Sequence, residues 1–395
     1  MSTQFIAAAK AQRANHRLYL SLLGMLFCLV VVLRADFSGV GLPEPFVVER
    51  ARVLAVMGEH LIPDPDFSGR YLGNQRVALQ VVSGPFAGQR VELENNLNRF
   101  RQIHLHEGMT VVVSMVTDLT ELTHEDMAIY GPYRGSVLLG SVLFLCVVMV
   151  LIGRQKGLYA MVTLGFTLTT VVFFLVEAIV NGGNPLVYAL LTALITTTFT
   201  LGMVSGLGKQ TLASLVGVVV GLLGAGGLHV LVGRMAHVSG MHLDEAMQIF
   251  YHSPLEWVIG IPELFFATII ILASGVVVDT AISIASSVFE IKAQNPAIQG
   301  RVLYRSGMHI GGDILGANAN TLILALMGAA LPTVILLVLF GFSPLRILSL
   351  DVLAIQVVQS VTATMGMLVT IPATALVSAM FATHSERGDR HEPTT

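Results

Sequence analysis

Charge is what this sequence has least of. Only 12% of its 395 residues are Asp, Glu, Lys or Arg, while 54% are hydrophobic. A soluble globular domain carries roughly a quarter charged residues, so about half the usual charge is missing. Water would not solvate such a surface and lipid would, which excludes an ordinary soluble fold. The formal net charge is −3, too small to attract a nucleic acid or to line a polyanion channel. Cysteine is nearly absent. Cys28 and Cys146 each lie inside an apolar run and read as small core residues, so neither a disulfide framework nor a cysteine-based metal site is expected. The signatures of catalysis are missing too: there is no Gly-x-Ser-x-Gly elbow, no His-Glu-x-x-His and no phosphate-cradling Walker loop. No enzymatic activity, cofactor or metal is expected, and energy for any transport would have to come from an ion gradient.

What is present is a series of apolar runs. About 20 mostly apolar residues cross the hydrocarbon as a helix. Eight segments qualify: Leu18–Val32, Ser136–Ile152, Leu158–Val180, Leu186–Leu207, Leu212–Val232, Leu255–Val278, Met308–Phe340 and Val352–Phe381. The last two are long enough to hold a break, a tilt or an interfacial turn, with Pro332 and Pro372 as the places for a kink. Comparing the third to fifth runs with the sixth to eighth reveals no duplicated block. Because inverted repeats hide at low identity, this argues only weakly against a transporter.

Lys10, Arg13 and Arg17 precede the first run, and Arg34-Ala35-Asp36 after it lacks a small-residue cleavage pattern, so an uncleaved anchor is expected. With the N-terminus cytoplasmic, the inner segments hold those residues and Arg154, Lys156, Lys209, Lys292, Arg301, Arg305, Arg387 and Arg390. The short outer loops hold only Arg234 and Arg346. The bias puts both termini in the cytoplasm. The expected domains are an anchor over 1–34, an extracytoplasmic β-rich domain over 35–134, a seven-helix core over 135–382 and a disordered cytoplasmic tail over 383–395.

The long polar insertion reads as strands. Val47–Val56 begins with period-two alternation, and Val77–Val82 and Gln89–Leu93 flank the turn residues Ser83-Gly84-Pro85 and Ala87-Gly88. Thr110–Val116 then makes a further strand. Four or more short strands with glycine turns point to a small antiparallel barrel of the OB type. Few aromatics are available to stack bases, so no nucleic-acid role is expected; a structural or assembly module is the plainer reading.

Polar groups inside the apolar runs carry the functional expectation. At the inner end of the sixth run, Asp279, Ser283, Ser286 and Glu290 recur at helical spacing and make one polar stripe. The stripe is either an amphipathic interfacial helix or the lining of a polar pathway. The seventh run reads Gly307-Met308-His309-Ile310-Gly311-Gly312-Asp313-Ile314-Leu315-Gly316-Ala317-Asn318-Ala319-Asn320-Thr321. Gly307 with Gly311, and Gly312 with Gly316, are spaced for close helix packing, as are Gly217 and Gly221 in the fifth run. A charge at mid-bilayer is costly and ordinarily faces the bundle interior, so Asp313, Asn318, Asn320 and Thr321 are expected to be shielded there. Their oxygens suit a proton or a hard cation. The alternative is an interfacial Asp313 that caps a helix or pairs with Arg301 or Arg305. Elsewhere His237, His242 and His252 share an outer loop at spacings that fit no compact metal motif.

These same residues resemble the YibE/F family of bacterial multi-span membrane proteins. The resemblance rests on Gly153-Arg154-Gln155-Lys156-Gly157, on Val278–Ser286 with Glu290, and most specifically on Ser306–Gly316 and Asn320–Ala325. Val357-Val358-Gln359-Ser360 and Met365-Gly366-Met367 before Pro372 add to it. It covers residues 130–380 well and the outer domain loosely. In the family pattern a basic residue stands where this sequence has Gly312, which removes a salt-bridge partner for Asp313. The resemblance implies the bacterial cytoplasmic membrane and a homo-oligomer or a paired family member, and it brings no biochemical activity with it. Two functions are expected to compete: an ion- or proton-coupled, permease-like transporter of unknown small solute, and a membrane scaffold or sensor whose outer domain binds an envelope partner.

Overall fold

The computed structural model describes residues 46–116, 127–237 and 260–388, together with Tyr19, Ser21, Leu23, Gly24, 26–30, Arg34 and 247–249. Contacts divide the chain into two units, residues 41–149 and the remainder.

The smaller unit begins with five antiparallel strands: β1 (Phe46–Pro63), β2 (Tyr71–Val81), β3 (Arg90–Leu97), β4 (Thr110–Val116) and β5 (Met127–Pro132), in the order β3-β2-β1-β4-β5. β1 is long enough to serve two neighbours. Its first residues pair with β4, from Phe46↔Val116 to Arg52↔Thr110, and the rest pairs with β2, from Ala51↔Val81 to Pro63↔Tyr71. Register shifts after Val53 and after Val56 bend it, so the sheet curls. Alternate residues Val77, Leu79, Val81 and Val91, Leu93 point inward to Ala51, Val53, Val111, Val113 and Met115. The expected turn closes the β2–β3 hairpin, with Gly84 (φ 80) and Gly88 (φ 95) in left-handed backbone that favours glycine.

Two polar clusters lock this unit. The buried Gln75 amide accepts from the Leu105 N–H at 2.9 Å and from Asn95 Nδ2 at 3.0 Å, and donates to the Leu105 carbonyl at 3.2 Å. That network pins the segment between β3 and β4 to the sheet, since a buried amide left unbonded is destabilising. The Asp64 side chain is fully buried and accepts from Arg99 Nε at 3.0 Å and from the Asp66 N–H at 2.9 Å. Burial alone would raise its pKa, but the Asp66 N–H and the Arg99 guanidinium outweigh burial and hold the carboxyl below its ordinary value. Because the folded value is depressed, its stabilising contribution is present above the unfolded carboxylate range, roughly pH 4, and is lost as pH falls through the folded value.

In the larger unit the helices follow from a simple requirement: in lipid every backbone N–H and C=O must be bonded within the chain. The helices are α1 (Gly135–Thr170), α2 (Glu177–Val180), α3 (Pro185–Ser205), α4 (Lys209–Met235), α5 (Ile261–Gln294), α6 (Gly300–Leu339), α7 (Pro344–Leu348) and α8 (Asp351–Gly388). A π-helical turn, Val171–Val176, joins α1 to α2. Asn184 caps α3 by accepting from the Leu186 and Val187 N–H groups, ahead of Pro185 in the first turn. Among the described residues six helical rods are long and apolar enough to cross a membrane, so the chain is a helical membrane protein carrying a β unit. The first of them, Gly135–Val180, has 46 residues, a rise of about 69 Å. It is interrupted at Arg154 (φ 49, ψ −126), where the helix is broken. The first expected apolar run is described only in part. Its described residues are helical, and Phe27 meets Phe166, which stacks on Phe199 at 3.9 Å.

The helices reach beyond the expected apolar runs: α5 continues past Val278 to Gln294, and α6 begins at Gly300, ahead of Met308. The expected tail from residue 383 is helical as far as Gly388, the last described residue.

α8 is the hub, packing on α4, α5 and α6, while α5 also packs on α3 and α4. Glycine makes this closeness feasible. A Cβ on Gly217 would collide with Thr374 Oγ1, and one on Gly221 with Thr370 Oγ1, the Gly366 carbonyl and Val277. The expected close packing of Gly217 and Gly221 is what the structure has. Thr370 bonds back to the Gly366 carbonyl at 2.8 Å. The Thr374 hydroxyl, buried with no hydrogen-bond partner, rests on Gly217. The α4–α8 seam is sealed.

Two outcomes follow for stability. Gly221→Leu lowers the detergent melting stability by about 1–3 kcal/mol or more through overpacking, whereas Gly227→Leu, with no neighbour within 4 Å, leaves it unchanged; equal melts for the two would contradict the seam. In the β unit, Asp64→Asn lowers stability near neutral pH and flattens its decline toward acid, read as near-ultraviolet circular-dichroism melts against pH.

Candidate polar site on α5 and α6

The two helices that carry the polar residues form an antiparallel hairpin turning at Asn295–Gln299. Their register follows from the glycines of α6. Gly307 lies against Val288 and Ala375, and Gly311 against Ile284 and Ile371. The expectation that Gly307 and Gly311 pack closely is met, because the inner face of α6 needs both to approach α5 and α8.

Contacts also set the depth of the two carboxylates. Val277, two residues before Asp279, lies against Gly221 and Gly366. Ile371, against Gly311, adjoins Thr370, which touches Gly221. Asp279 and Asp313 therefore sit within about a turn of Gly221, and Gly221 is near the middle of α4 (Lys209–Met235). Reading α5 as ending at Val278 had put Asp279 at a span's end; it lies instead near the middle of Ile261–Gln294.

The direction these groups face is the larger correction. Asp313 and Asn320 are exposed, on the side of α6 opposite Gly307 and Gly311, and Thr321 beside them bonds back to the Ala317 carbonyl at 2.9 Å. A single chain does not shield them as expected. Asn318, two residues before Asn320, turns to the packed side and is half-buried. Gly312 and Gly316 are exposed with no neighbour within 4 Å, so their expected packing is not made among the described residues. The reason is angular: residues one or five positions from Gly311 fall away from the inner face.

On α5, Asp279 and Glu290 are exposed and Ser283 half-buried. Glu290 accepts from Gln294 at 3.0 Å. The stripe is real, and it too lies on the open side. Among the described residues neither Asp279 nor Asp313 makes a hydrogen bond or ion pair, with Arg301, Arg305 or each other. The alternative of an Asp313 tied to Arg301 or Arg305 is thereby excluded.

A polar cavity that the sequence reading missed opens at the other end of the bundle. It has a volume of roughly 560 Å³ and is lined by His229, Arg234, His237, Glu263 and Phe266 among others. His229 stacks on Phe266 at 4.7 Å and its Nδ1 is buried without a partner. The available signal was a histidine inside an apolar run, five residues before Arg234. His237 had been grouped with His242 and His252, which lie outside the described residues.

Comparison with known proteins adds one match. A family model described as YibE/F-like protein matches residues 141–384, which take in every helix above from the first turns of α1 to the last turns of α8. No curated protein matches the chain, and no solved structure matches it.

Proposed function

The chain belongs to the YibE/F-like family, and from that footing we propose that it is an ion- or proton-coupled, permease-like transporter of the bacterial inner membrane. One observation carries the reading. Asp279 and Asp313 lie at the middle level of an apolar bundle, ionisable and without a countercharge among the described residues. A carboxylate at that depth is costly by about 3 kcal/mol on insertion scales and much more in simulations. Such a group is retained where it takes up and releases a proton or cation as the protein changes state. Asp313 is the carrier in this reading, Asp279 its companion at the same level, and Asn318, Asn320, Thr321, Ser283 and Glu290 supply polar atoms along the route. The cavity at His229 and Glu263 provides an entry vestibule.

The topology fits eight crossings. The Arg154 break divides Gly135–Val180 into two spans of ordinary length, and the described helical residues between Tyr19 and Arg34 supply one more. Lys156, Lys209, Lys292, Arg301 and Arg305 then gather at one end, with both termini on the cytoplasmic side. The β unit, with β3 brought near β5 at the far edges of its curled sheet, is read as an OB-like barrel outside the membrane.

A second reading, a scaffold or sensor, is favoured by the β unit's surface. Arg70, Tyr71, Arg99 and Gln102 surround a cavity of roughly 340 Å³, and the Phe100 beside them is 100% exposed. Arginine and tyrosine are the residues enriched in protein contacts.

Asp313→Asn, made in full-length protein in proteoliposomes, is expected to abolish gradient-driven solute or proton flux. Insertion and helical content stay unchanged, because the side chain touches no partner among the described residues. Wild-type flux from this variant removes the carrier role. Deleting residues 43–123 separates the second reading: loss of the cellular phenotype with flux retained favours the scaffold.

A further inference from the structure

The outer face of α6 carries Arg305, His309, Gly312, Asp313, Gly316 and Asn320, all of them exposed. Helical spacing puts His309, Asp313, Gly316 and Asn320 in one band, roughly opposite Gly311. At the middle of a bilayer this band has three possible neighbours: lipid, water or protein. Lipid offers no hydrogen-bond partner to Asp313 or Asn320. Water would need an enclosing wall, and none of the described residues of the chain stands over Gly312 or Gly316.

We propose that this band is the contact between two copies of the chain, and that the polar site is complete only when both are present. The argument for a second copy is geometric. Copies inserted in the same orientation and related by a two-fold axis along the membrane normal place identical residues at identical depth. The α6 helices then run parallel, and Gly312 and Gly316 of each admit the other's backbone closely. Asn320 meets its own counterpart, and a carboxamide both donates and accepts, so the pair satisfies itself. Asp313 likewise meets the partner's Asp313, one turn from the two His309 rings. Two carboxylates side by side in a low dielectric repel each other strongly, so the pair calls for a positive charge between them. That last step rests on the transport reading above, whereas the contact itself stands on the exposure, depth and residue chemistry of the band.

Disulfide trapping in native membranes tests it. In a Cys28→Ala/Cys146→Ala background, Gly316→Cys is expected to form a covalent dimer on mild oxidation, since a parallel close crossing brings the pair within disulfide range, about 4.4–6.8 Å between Cα atoms. Leu223→Cys, on a 68% exposed site of α4, is expected to stay monomeric. Gly316→Leu, which meets no described residue within 4 Å, is expected to convert a dimeric mass in nanodiscs to a monomeric one while the far-ultraviolet helical signal is kept. Trapping at Gly316 no better than at Leu223, or a monomeric wild type in nanodiscs, overturns the proposal, including the case in which a different membrane protein or lipid covers the band. The transport reading fails separately, through wild-type flux from Asp313→Asn while the dimer persists.

Discussion

A carboxylate held level with the middle of an apolar helix bundle is the constraint around which the rest of this structure is arranged. Backbone groups inside α3 to α8 bond along their own helices, and side-chain hydroxyls such as Thr196, Thr362 and Thr370 bond back to the preceding turn. Asp279 and Asp313 have no such local remedy. None of the described residues bonds to them. That difference separates these two positions from the many polar residues that merely tolerate the membrane.

The packing makes the point sharper. The α4–α8 seam, where Gly217 and Gly221 accept Thr374 and Thr370, leaves no room for a path between those two helices. Polar chemistry is displaced to the outer sides of α5 and α6. The same hub that gives α8 its three packed neighbours therefore determines which faces stay open. Rigidity at the glycine seam and accessibility at the carboxylates are two consequences of one set of contacts.

The β unit is held by different means. Its core is small and apolar, but the buried Gln75 and Asn95 amides and the Asp64–Arg99 pair fasten the segments between strands to the sheet. These bonds specify where the segments after β1 and β3 lie, and with them the position of Arg70, Tyr71 and Arg99 on the surface. A charged latch of this kind links the unit's integrity to pH.

By itself the sequence determined the class of molecule. Scarce charge and runs of about 20 apolar residues permit only spanning helices, and the alternation Val77-x-Leu79-x-Val81 with glycine turns permits only a curled antiparallel sheet. It also picked out Asp279, Asp313 and the Gly307/Gly311 and Gly217/Gly221 pairs, because a carboxylate or a spaced glycine in an apolar run is conspicuous whatever surrounds it. What it did not contain was direction. Periodicity says that Asp313 and Asn320 share a face of α6, and that Gly312 with Gly316 differ in angle from Gly307 with Gly311. It does not say which face meets Ile284 and Ile371. Only the tertiary packing decided that Gly311 turns inward, leaving Asp313 on the open side, because a face is chosen by the shape of its neighbours and those neighbours lie far away in the chain.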